Sequence, residues 1–186
     1  TYKSASLIGT HQPPEAVTVA EAVGPVSFER VIVGSNFALA LESAPDPPPQ
    51  NFVGRLLIWG QDPREPQAAP LNQVTDTGLD QLIAPDNFAL ADNGFCVGTT
   101  CYGIIGQREY GPQGEVVAQG LPASDRFQIK CGANHCCGYQ FDSTTLHCWG
   151  DNNYLQLGSM NPQAAGPNDI LMVRNITGLA LGDRHT

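Results

Sequence analysis

Two short signatures recur in this chain in a fixed order and at nearly constant spacing, and no other feature restricts the fold as tightly. The first occurs as Val33-Gly34-Ser35-Asn36-Phe37-Ala38-Leu39, Ala84-Pro85-Asp86-Asn87-Phe88-Ala89-Leu90, Cys131-Gly132-Ala133-Asn134-His135-Cys136-Cys137 and Leu181-Gly182-Asp183-Arg184-His185-Thr186. Asn36, Asn87, Asn134 and Arg184 align, so successive copies lie 51, 47 and 50 residues apart. The second follows each of the first three copies, as Leu57-Ile58-Trp59-Gly60, Thr100-Cys101-Tyr102-Gly103 and His147-Cys148-Trp149-Gly150. Self-similarity at a period near fifty is the mark of a repeat architecture.

The segments around these signatures read as strands. Phe28 to Val33 and Phe127 to Cys131 alternate with period two and run into the Gly-x-Asn turn. The stretch from Pro14 to Val23 is rich in Ala, Glu and Val, but its β-branched residues disfavour a helix, and the chain reads as all-β. Four short strands per fifty residues is the arithmetic of a β-propeller blade, a small sheet that becomes stable by stacking on its neighbours. The expected organisation is an N-terminal segment over 1–27 (the end of a preceding blade or a linker), repeats over 28–78, 79–125 and 126–175, and the start of a fourth over 176–186. That is about three and a half repeats where a seven-bladed whole is expected, so a fragment of a longer chain is expected.

Charge narrows the partners. Nine Lys and Arg face 18 Asp and Glu, a formal net charge of −9, and no basic cluster interrupts the excess. Such a surface repels phosphate backbones and anionic membranes, so neither nucleic acid nor direct membrane insertion is expected. No apolar run reaches the ~18 residues of a membrane span. Six cysteines, at 96, 101, 131, 136, 137 and 148, fall in strand-like segments, as in a disulfide framework of an oxidising compartment. Zinc is the rival reading: Cys96 and Cys101 could form one knuckle, but the adjacent Cys136 and Cys137 make a poor second. Asn175-Ile176-Thr177 is an N-glycosylation sequon.

Trp149-Gly150-Asp151-Asn152-Asn153-Tyr154-Leu155-Gln156-Leu157-Gly158 resembles the Trp-Gly-x-Asn-x-Tyr-Gly-Gln-Leu-Gly repeat of the regulator-of-chromosome-condensation (RCC1) family. His135-Cys136-Cys137-Gly138 followed by Cys148-Trp149-Gly150 is similar to a secreted, disulfide-bearing branch that includes Crinkly-type receptor ectodomains and the propeller-type β-lactamase inhibitor. The resemblance covers about residues 28 to 186. Leu155 stands where the family has Gly, Tyr102 replaces Trp, Phe37 and Phe88 replace His, and Gln107 to Gly114 carries an insertion. The signature residues carried over are Gly34, Asn36, Trp59, Gly60, Asn87, Tyr102, Gly103, Gly132, His135, Trp149, Gly150, Gly158, Gly182 and His185.

Adjacent residues on a strand point to opposite faces, so Cys136 and Cys137 need different partners. Cys131 and Cys136 flank one tight turn, Cys96 and Cys101 flank another, and Cys137 aligns with core positions opposite the Cys148 strand. Of the 15 connectivities open to six cysteines, Cys96–Cys101, Cys131–Cys136 and Cys137–Cys148 are expected. No catalytic residue, cofactor or metal is expected: His135 and His185 belong to the turn signature, and no nucleophile elbow, zinc-protease helix or phosphate loop occurs. The function expected is a non-catalytic extracellular interaction module, structural or adhesive in a filament or matrix. It would bind other extracellular proteins, further copies of itself, or glycans. A receptor ectodomain and a secreted inhibitor using Tyr102, Tyr110 or Tyr154 are the alternatives.

Overall fold

The structure, a computed structural model, describes residues 18–19, 23–47, 53–79, 83, 85–117, 127–140, 144–160, 168–171, 176 and 178–186. All regular elements among them are β-strands, so the fold is all-β. The chain divides into two compact units, Thr1–Asp62 with Gln67–Gln81, and Pro63–Pro66 with Leu82–Thr186.

The first unit holds one sheet. Its strands are β1 (Thr18–Val19), β2 (Phe28–Val33), β3 (Phe37–Glu42), β4 (Leu56–Gly60) and β5 (Leu71–Asp76), in the order β1-β5-β4-β3-β2. β2 to β5 form an antiparallel meander, and β1, from the segment assigned to a preceding blade or linker, adds parallel to β5 on the open edge of this same sheet. Phe37-Ala38-Leu39-Ala40-Leu41 of β3 is buried on both faces, with Leu56, Leu57 and Ile58 of the central strand β4 beside it. Arg55 ties the sheet end together: its guanidinium bonds both Glu42 carboxylate oxygens, at 2.8 and 2.9 Å, and the Val23 carbonyl at 3.0 Å.

The second unit contains two four-stranded antiparallel meanders. One runs β6 (Phe88–Ala91), β7 (Asn93–Val97), β8 (Thr100–Ile105) and β9 (Arg108–Val116). The other runs β10 (Phe127–Cys131), β11 (His135–Gln140), β12 (Thr145–Gly150) and β13 (Asn168–Leu171). They stack through a shared apolar layer that includes Ala89, Cys96, Ile105, Tyr110, Phe127, Ile129, Cys136 and Trp149. Two backbone bonds stitch them at the rim, Asp92 N–H to the Ala133 carbonyl at 2.8 Å and Ile129 N–H to the Asp86 carbonyl at 3.1 Å. Stacked four-stranded meanders are propeller blades, stable by mutual burial.

The register corrects the expected alignment of the second repeat. Phe37 lies opposite Gly60 and His135 opposite Gly150, and the residue opposite Gly103 is Gly94. Asn93, not Asn87, therefore corresponds to Asn36 and Asn134. Asn87 instead precedes the first strand of its blade, buried, with its carbonyl accepting the Gly98 N–H at 2.6 Å. The misreading arose because Asn-Phe-Ala-Leu occurs identically at 36–39 and 87–90, once as a second strand and once as a first. Two buried neighbouring strands have interchangeable apolar sequences, and the deciding signal was the Asp92-Asn93-Gly94 turn chemistry.

Candidate interaction surface

The turn signature builds one device three times over. Gly34 N–H donates to the Phe37 carbonyl (2.9 Å), Gly132 N–H to that of His135 (2.8 Å), and Gly182 N–H to that of His185 (2.9 Å). The Asn36 and Asn134 carbonyls then receive Gln61 N–H and Asp151 N–H, at 2.9 and 2.8 Å, just beyond Trp59-Gly60 and Trp149-Gly150. Both glycines have positive φ, 91° at Gly60 and 106° at Gly150, and a β-carbon at either would also strike the opposing strand. Trp149 and Tyr102 are buried and Trp59 is half-buried, so the aromatic place is structural in each blade.

Disulfides join Cys96 to Cys101, Cys131 to Cys136 and Cys137 to Cys148, with Cα separations of 4.0, 4.0 and 4.1 Å, all in direct cross-strand register. Cys96–Cys101 occupies in its blade the place of Cys137–Cys148 in the next, and Leu39 opposite Ile58 fills that place in the first sheet. Cys136 faces the layer between the two blades of its unit, while Cys137 faces a separate cluster with Tyr139, Leu146 and Leu157. Three bridges fit an oxidising compartment. Among the described residues no helix is long and apolar enough to cross a membrane. Asn175 lies outside the described residues.

His135 is fully buried. Its Nε2 lies 3.1 Å from Thr186 Oγ1, which itself donates to the Gln156 carbonyl at 2.9 Å. The single hydroxyl proton is thus committed, so Nε2–H donates and Nδ1 is bare. Burial holds the imidazole pKa below its ordinary 6.5. With Cys137 bridged to Cys148 and the His135 ring donating to Thr186, these neighbours do not form a nucleophile–base pair.

Among the described residues nine large apolar or aromatic side chains are exposed, and three of them stand on residues 151–160, the loop that leaves β12. Asn152 is its buried hub, its Oδ1 accepting Leu157 N–H at 2.8 Å and its Nδ2 donating to the Ser159 carbonyl at 3.1 Å. Asp151 accepts from Asn153 Nδ2 (2.6 Å) and Gln156 Nε2 (3.1 Å), and Gln156 Oε1 accepts Tyr154 N–H (2.8 Å). Asp151 and Asn152 thus spend their side-chain oxygens on the loop itself. Leu157 plugs the base, fully buried. On this frame stand Tyr154, 57% exposed, Leu155, 44%, and Met160, 87%. Arg184 lies 4.6 Å over the Tyr154 ring. Leu155 sits at φ 61°, a conformation that costs a non-glycine residue about 1–2 kcal/mol. Gly158, at φ 68°, closes the turn with its N–H on the Leu155 carbonyl at 3.1 Å.

Of the three tyrosines expected at an exposed hot spot, the structure exposes Tyr154 alone. Tyr102 stacks on Phe95 with ring centroids 4.9 Å apart. Tyr110 is buried within β9, its hydroxyl pushed up to about 12 by desolvation. The chain there turns directly from Ile105 to Arg108, and the stretch read as carrying an insertion, Gln107 to Gly114, lies almost wholly in β9. Met160 escaped the sequence reading because nothing in its neighbours forecasts exposure. Leu155 was visible as a departure from glycine, although its strained backbone was not.

Human WBSCR16, an RCC1-like protein of known crystal structure, superposes on 89% of this chain with a TM-score of 0.61, at 18% identity. The chain spans 45% of that protein's length. The RCC1-like propeller fold is thereby shown. No protein-family model and no curated protein matches the sequence.

Proposed function

We propose that this chain is an extracellular, non-catalytic interaction module, a structural or adhesive component of a cell-surface filament or matrix. Its contact element is the 151–160 loop, and its partners are other extracellular proteins or further copies of itself. The observation that carries this reading is Leu155, an exposed leucine held in a left-handed backbone conformation beside an exposed tyrosine. Strain of that kind persists where the surroundings impose it, and it clusters at ligand-clamping sites. A loop already fixed by its own side-chain bonds loses little entropy on association, which favours its aromatic and apolar tip as an anchor. The three bridges and the acidic surface suit a folded module outside the cell.

The test is a triple variant, Tyr154→Ser with Leu155→Gly and Met160→Ser. Self-association is measured by sedimentation, and retention of matrix proteins on the immobilised chain is quantified against the parent. A loss of at least about tenfold in either supports the reading, since one hot-spot anchor contributes that much. Equal association and equal retention by both proteins would rule the loop out.

A further inference from the structure

The zinc reading of the sequence failed for want of a second knuckle, yet the fold supplies one. Cys96 and Cys101 enclose four residues, and so do Cys131 and Cys136. Each pair spans neighbouring strands of its own blade, and the two pairs meet in the layer between the blades of the second unit. The Sγ atoms of Cys96, Cys131 and Cys136 all lie within 4.8 Å of one another, and Cys101 Sγ is bonded to that of Cys96. Four thiolates around zinc, each at about 2.3 Å, sit some 3.8 Å apart. Three of the four sulfurs are therefore gathered close to the spacing that a metal needs, and Cys101 Sγ is held beside them by its bond to Cys96, with no strand having to change its partner.

We propose that Cys96, Cys101, Cys131 and Cys136 form a latent tetrathiolate site for a zinc-class divalent cation, opened when both bridges are reduced. A dithiol donates two electrons and two protons to each bridge, becoming a cyclic disulfide and leaving two cysteine thiols. Zinc then binds the four sulfurs and releases four protons. Metal coordination deprotonates thiols that burial would otherwise keep neutral. Cys96, Cys101 and Cys136 are fully buried, and the half-buried Cys131 gives the site its contact with water. The bridges fasten strands within each blade, whereas the metal ties the two blades to each other across their interface. Cys137 and Cys148 take no part, since they face the opposite side of β11.

The experiment uses the full chain, reduced under argon with a dithiol that is then removed, and titrated with Co²⁺ and competed with Zn²⁺. The proposal expects one cobalt per chain, with the intense visible bands of tetrahedral thiolate ligation bleached by Zn²⁺. A Cys137→Val/Cys148→Val variant keeps that stoichiometry, whereas Cys96→Ser/Cys131→Ser loses the bands. Circular dichroism runs alongside, and Zn²⁺ is expected to restore any sheet signal lost on reduction. No stoichiometric cobalt binding, equal bands from the Cys96→Ser/Cys131→Ser variant, loss of the bands in the Cys137→Val/Cys148→Val variant, or a reduced chain that zinc does not refold would each overturn the proposal.

Discussion

Gly150 lies directly across the sheet from His135, so close that a β-carbon on it would sit 2.8 Å from His135 Cα and 2.6 Å from the Asn134 carbonyl oxygen. Both contacts are with backbone, which cannot swing aside. Gly150→Ala should therefore cost about 2–4 kcal/mol, from the positive φ and the clash together. Gly178→Ala, where nothing lies within 4 Å, is the matched control and should change stability little. Urea unfolding of the two variants checks this.

His135 should make stability pH-dependent. Burial favours its neutral ring, so the unfolded chain binds more protons than the folded one below the ordinary pKa of 6.5. The contribution is complete above that value and is lost as pH falls through it toward the lowered folded pKa. Phe37 occupies the same place in the first sheet, opposite Gly60. His135→Phe should therefore fold and flatten the loss that sets in as pH falls through 6.5. Glu42, held below the usual carboxylate range by Arg55, acts at more acidic pH and is common to both proteins. Melting temperature against pH is the measurement.

Cys137→Ala/Cys148→Ala should cost about 2–3 kcal/mol, the scale of closing a short loop in the unfolded chain. Cys137→Val/Cys148→Val should recover about 1 kcal/mol of that by refilling apolar volume. Leu39 and Ile58 already form an apolar pair at this place in the first sheet. Calorimetry of the two double variants against the parent tests the difference.

Leu155→Gly separates stability from binding. Relief of the left-handed strain contributes about 1–2 kcal/mol, and the freer unfolded glycine offsets about 0.4–1 kcal/mol. The variant should be as stable as the parent or slightly more so, while associating more weakly. A Leu155→Gly chain that is clearly less stable would show that the leucine serves packing instead.

The blade architecture was legible because turns and aromatic-glycine pairs repeat, and each has a local cause. Gly60 and Gly150 must be glycine against the facing strand, and Gly34, Gly132 and Gly182 each open a bonded turn. The cysteine pairs were legible from strand alternation together with the tight turns that Cys96/Cys101 and Cys131/Cys136 flank, and Cys136 and Cys137 do face different clusters. The second blade was not, because Asn87 to Leu90 copies a sequence whose counterpart occupies a different strand. Apolar sequence reports burial, and burial is shared by neighbouring strands. The exposed loop was only half legible: the Leu155 substitution was plain, but exposure of Tyr154 and burial of Tyr110 depend on whether a loop or a strand follows the aromatic-glycine pair.

Because Cys136 and Cys137 are consecutive, β11 is bonded covalently to β10 on one side and to β12 on the other. Tension applied to the ends of this blade would enter at Cys131 and cross to Cys136. It would pass one peptide bond to Cys137 and leave through Cys148, so the turn and hairpin between these cysteines would carry no load. A blade fastened this way cannot be unravelled strand by strand between Cys131 and Cys148. Pulled from both ends, it would give a shorter contour than its residue count, and a reducing agent would release the hidden length.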